Sequence, residues 1–106
     1  MQDVAVIQFS GKLALGRESQ RIETLIDEIG SRPEHKVIFD MTGVHYIDSA
    51  GIGILALASG KFKAAGGKLV VVAPPESRVT QMLKLTQVIS IVPVFPTMEE
   101  AAGSFA

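Results

Sequence analysis

Cysteine is absent from the sequence, which excludes disulfides, thiolate nucleophiles and cysteine-ligated metal sites together. Charge of one prevailing sign is absent too: ten Lys and Arg stand against eleven Asp and Glu, a formal net charge of -1. Nothing here advertises a nucleic-acid or anionic-membrane surface, so direct nucleic-acid binding is not expected. No apolar run reaches the roughly 18 to 20 residues of a membrane span, and the opening MQDVAVIQF lacks a basic segment followed by an apolar one. The expectation is a soluble cytoplasmic chain with no membrane insertion. His35 and His45 are the only histidines, which, without cysteine, makes a metal site or other cofactor unexpected. Internal repeats, linkers and low-complexity stretches are also missing.

What remains is an ordinary globular composition. The chain has 106 residues, 47% of them hydrophobic and 20% charged, which suits a single domain over 1–106. Val4 to Ser10 alternates and is β-branched; Gly11-Lys12 then reads as a turn into a second short strand at Leu13 to Leu15, a β-hairpin. Ile22, Leu25, Ile26 and Ile29 recur at helical spacing, so Arg17 to Ile29 reads as an amphipathic helix stopped by Gly30 and Pro33. Val37-Ile38-Phe39 is a buried central strand closed by Asp40. A loop is expected from Met41 through Asp48, then a helix from Ser49 to Ala65 ended by Gly66-Gly67, then a buried strand at Leu69 to Ala73. Val79, Met82 and Leu83 mark a further helix. Pro93 pushes the strand Ile91 to Phe95 to a sheet edge, and Thr97 to Glu100 matches a capping box that opens a last helix. The fold class is α/β, with a mixed four- to five-stranded sheet and about four helices.

In open α/β sheets, ligands and partners gather outside the carboxyl ends of the strands. That geometry selects the segment YIDSAGIG, Tyr46 to Gly53. With Leu55 at the centre of the buried face, Ile52, Ala58, Ser59, Phe62 and Ala65 cluster beside it. The opposite face carries Ser49, Gly53, Ala56, Leu57, Gly60 and Ala64, small residues around one larger anchor. Gly51, Gly53 and Gly60 together forgo about 3 kcal/mol of helix propensity relative to alanine, which suits a surface that another protein approaches closely. The competing reading has this face packing on its own chain, against the C-terminal helix. Asp48 and Ser49 are both suited to cap the helix. Ser49 also reads as a phosphorylation site, because the helix N-terminus favours an anion, whereas a phosphate trapped in a docked interface is costly.

Other motifs carry less. Gly51-x-Gly53-x-x-Ala56 fits a dinucleotide fingerprint, but eight residues separate it from the expected strand and no ribose-binding acid follows the next one. A Ser49-His45-Asp48 hydrolase would need three neighbouring side chains in line, with no oxyanion arrangement in view. Asp40 reads as a turn cap. Catalytic activity is not expected.

With Asp40-Met41-Thr42 and Asp48-Ser49-Ala50-Gly51 on the page, the sequence resembles the STAS domain family, the bacterial anti-sigma factor antagonists, over essentially its whole length. The resemblance implies partner switching. The unphosphorylated protein would bind an anti-sigma factor with serine kinase activity, phosphorylation of Ser49 would release it, and a serine phosphatase would reset it. It implies a partner-binding surface of Asp48, Ser49, Ala50, Gly51, Gly53 and Leu57. The chain departs from the family pattern at Ala14, where members often carry an acid, and at Ala50, which replaces a second serine. STAS domains also serve as non-phosphorylated scaffold subunits of transport or stress-signalling complexes, the alternative function.

Overall fold

The computed structural model describes residues 4–13, 24 and 36–105. In chain order these form β1 (Val4–Leu13), β2 (Lys36–Ile47), α1 (Ser49–Ala64), β3 (Lys68–Val72), α2 (Arg78–Leu85), a 3-10 turn (Val88–Ser90), β4 (Val94–Phe95) and α3 (Met98–Gly103). The strands lie in the order β1-β2-β3-β4, and all three pairings are parallel. The α/β class therefore holds. The helix expected from Arg17 to Ile29 lies outside the described residues except for Thr24, which is helical. The second hairpin strand falls outside them too, apart from Leu13, which closes β1.

Two local expectations are corrected. Gly11-Lys12 is not a hairpin turn: β1 runs through it to Leu13, and Ser10 to Leu13 pair with Gly43 to Ile47. Gly11 has φ of +84°, a left-handed conformation that glycine supplies at little cost. Here it serves an irregular stretch of strand. The mixed sheet rested on that hairpin, and among the described strands the sheet is parallel throughout. The second correction concerns Met41 to Ile47, which is strand, not loop. The β1 to β2 register slips between Gln8 and Ser10 and again between Gly11 and Lys12, and each slip places an extra residue on β2. Asp40 accordingly caps no turn. Its Oδ1 accepts from the Thr42 backbone N–H at 3.1 Å and the Thr42 hydroxyl at 2.8 Å, beside the first bulge.

The bulges explain the burial pattern. A regular strand buries every second residue on one face, yet after Phe39 the buried residues of β2 that join the α1 core are Met41, Val44 and Ile47. Each added residue flips the parity, so the apolar side chains keep to one face at a spacing that alternation cannot detect.

The sheet separates two apolar layers. On one side Val37, Phe39, Leu69 and Val71 pack with Ile52, Leu55, Ala58 and Phe62 of α1 and with Val79 and Leu83 of α2. Phe39 sits edge-on to both Phe9, at 4.9 Å, and Phe62, at 6.3 Å, a geometry that favours aromatic pairs. On the other side Ile38, Val70 and Val72 pack with Ala101 of α3. Helix α1 ends as its Gly66-Gly67 pair dictates. Gly66 takes φ of +89°, its N–H donates to the Lys63 carbonyl at 3.0 Å, and the Gly67 N–H donates to the Phe62 carbonyl at 2.8 Å. This is a Schellman closure that satisfies carbonyls the helix would leave open.

Candidate partner-docking site

Only Asp48 separates β2 from α1, so the first turn of the helix stands at the carboxyl end of a central strand. Asp48 is the N-cap. Its backbone is extended, its Oδ1 accepts from the Gly51 N–H at 3.0 Å, and its carbonyl accepts from Ile52 N–H at 3.0 Å. The choice left open between Asp48 and Ser49 is thereby resolved: Asp48 caps, and Ser49 becomes the first helical residue, exposed to solvent. Among the described residues nothing holds the Ser49 hydroxyl. Because Asp48 turns its carboxylate to the helix backbone, a hydrolytic relay through it to Ser49 gains no support.

From Ser49 the exposed face runs through Gly53 and Leu57 to Gly60, Lys61 and Ala64. Steps of four residues keep Ser49, Gly53 and Leu57 on one side. At about 1.5 Å per residue, Leu57 stands about 12 Å along the axis from Ser49. Leu57 is 45% exposed, a large aliphatic side chain on a face otherwise of small residues. A Cβ added at Gly53 or Gly60 would meet no atom within 4 Å. Neither glycine is demanded by packing, so the propensity they forgo has no internal return.

The competing reading, in which the C-terminal helix covers this face, is contradicted. Helix α3 packs through Ala101 on the opposite side of the sheet. Two expected site residues also shift. Gly51 is buried, so it offers a backbone N–H to the cap and presents no surface; Ala50 is only half-buried and stays at the rim. The spacing argument against a dinucleotide site falls with the expected loop, since β2 reaches Ile47. Its companion stands: β3 ends at Val72, followed by Ala73 and Pro74 where that motif needs an acid.

One surface residue escaped the sequence reading. Tyr46, near the end of β2, is 42% exposed and adds an aromatic ring to the same sheet edge. Its only sequence signal was an aromatic two residues before the cap, which an assumed loop made uninformative.

A small α/β domain with an uncovered helix face at its sheet edge is the architecture of an interaction module. The chain belongs to the STAS domain family, whose model matches residues 1–101. It is 25% identical over 101 residues to a Thermotoga neapolitana protein named as an anti-sigma factor antagonist and TM1081 homologue, covering 95% of this chain and 88% of the other. The crystal structure of TM1081 from Thermotoga maritima superposes with a TM-score of 0.86 at 23% identity, over 98% of this chain and 88% of that one. The phosphorylated form of SpoIIAA from Bacillus shares the fold, with a TM-score of 0.73 at 17% identity over 100% and 94% of the two chains. So does the STAS domain of a SulP transporter from Vibrio cholerae, with a TM-score of 0.77 at 26% identity over 95% and 79%. Among the described residues no helix is long and apolar enough to cross a membrane.

Proposed function

We propose that this STAS domain is a regulatory, non-catalytic anti-sigma factor antagonist of the cytoplasm that docks through the exposed face of α1 and is switched by phosphorylation of Ser49. Its partners in this reading are an anti-sigma factor with serine kinase activity and a serine phosphatase, and its output is sigma-factor-dependent transcription. The observation that carries the reading is the exposed Ser49 hydroxyl at the head of an uncovered stripe through Gly53 to Leu57.

The physics of the switch is asymmetric. In the free protein a phosphate on Ser49 sits at the N-terminus of a 16-residue helix, where unpaired backbone N–H groups and the helix dipole favour an anion by about 0.3 to 1 kcal/mol. Asp48 opposes it, but the fold keeps its core. In the complex the same dianion is desolvated against a weakly apolar surface, at a cost of several kcal/mol. A penalty of about 4 kcal/mol weakens binding nearly a thousandfold. The test is intact mass after incubation with candidate anti-sigma kinases and ATP, beside pull-downs with wild type, Ser49→Ala and Ser49→Asp. One phosphate on wild type, none on Ser49→Ala, and loss of the partner by Ser49→Asp are expected. No phosphate, with full binding by Ser49→Asp, refutes the switch.

The similarity to a SulP transporter STAS domain favours a second reading, a constitutive scaffold using the same face. It predicts a stable partner whose affinity is indifferent to Ser49→Asp.

A further inference from the structure

On the flank of α1 beyond its first turns, the chain leaves a groove of about 500 Å3 between the second half of the helix, the start of β3 and the segment leading into β4. Ala56, Gly60 and Lys63 line it from the helix, Leu69 from β3, and Ile91 and Pro93 from the far side. The volume lies within the roughly 300 to 1,000 Å3 of small-molecule sites.

The far wall is held in place. The Ser59 hydroxyl, on the buried side of α1, donates to the Ile91 carbonyl at 3.2 Å, and Val92 beside it is fully buried. Ile91 itself is nonetheless 56% exposed, apolar surface that the fold fixes but leaves uncovered. Gly60 deepens the groove without any packing requirement for glycine, at about 1 kcal/mol of helix propensity.

No carboxylate lines the groove; its charged residues are Lys63 and Lys68. The Lys68 ammonium stands over the Phe105 ring at 5.9 Å, and Phe105 belongs to the α3 side of the sheet. Lys63 is therefore the cation this groove presents, set at the end of an otherwise apolar slot. We infer that the groove binds a small amphipathic monoanion, with an apolar body against Gly60, Leu69, Ile91 and Pro93 and a single carboxylate or phosphate at Lys63.

The test is an amide NMR titration of the whole chain with decanoate, decyl phosphate and neutral decanol, below micelle-forming concentrations. Saturable shifts at Gly60, Gly67 and Ile91 are expected for the anions, with decanol weaker by about three- to tenfold, the worth of one partly exposed charged hydrogen bond. The tighter of the two anions tells a carboxylate ligand from a phosphorylated one. Lys63→Gln should erase the advantage over decanol. Gly60→Leu should abolish binding while the melting temperature holds or rises. Absence of saturable shifts in the groove, equal binding of decanol, unchanged affinity in Lys63→Gln, or shifts centred instead on Ser49 to Leu57 each overturn the assignment.

Discussion

Replacing Gly53 by alanine separates what helix α1 needs from what its surface is for. Gly53 lies inside the helix, exposed, with no atom within 4 Å of where its Cβ would sit. Alanine therefore meets no clash and recovers the propensity that glycine forgoes, about 0.5 to 1 kcal/mol. In a domain of this size that raises the melting temperature by about 2 to 8 °C. Partner affinity should move the opposite way. A methyl group thrust into a close contact costs about 1 to 3 kcal/mol when a packed surface cannot yield, which is a loss of roughly 5- to 150-fold. Thermal melts by circular dichroism and titration calorimetry against the partner captured by wild type give both numbers from one protein preparation. A lower melting temperature would show that the backbone or its surroundings need glycine there. Unchanged affinity together with higher stability would show that no partner reads this face at Gly53.

Leu57→Glu should abolish partner binding while shifting stability by less than about 0.5 kcal/mol, as surface substitutions do; a large loss in a denaturant melt would place Leu57 in the core. Asp48→Ala removes the only side-chain cap of α1 and should cost about 1 kcal/mol, read as a lower urea midpoint with unchanged slope; Asp48→Asn should restore most of it. Gly66→Ala forces a Cβ into a left-handed position with φ of +89° and should cost about 1 to 2 kcal/mol in the same assay.

Helix α1 was legible because its residues report on themselves. The apolar spacing around Leu55, the capping aspartate and the closing glycines are local signals, and they located the helix to within a residue of Ser49–Ala64. Thr97 likewise caps α3 by accepting from the Glu100 N–H at 3.2 Å. The second half of β2 was not legible. Its two bulges break the period of two, and a strand without alternation looks like a loop until its partner is in place. Gly11 misled for a related reason: positive φ is shared by turns and by irregular strands, and which one a glycine serves depends on the neighbouring strand. Gly51 and Gly53 look alike in sequence, yet one is buried and the other exposed.

By itself the sequence determined the α/β class, the span and cap of α1, and the pairing of an exposed serine with an approachable helix face. These follow from short-range rules: helical period, capping chemistry and the conformational limits of glycine. Tertiary structure alone decided that α3 lies across the sheet from that face, that Leu57 stays exposed, and that Gly60, Lys63 and Ile91 meet around one groove. Those facts depend on which side of the sheet each element takes, and that is set by long-range burial, which no local pattern records.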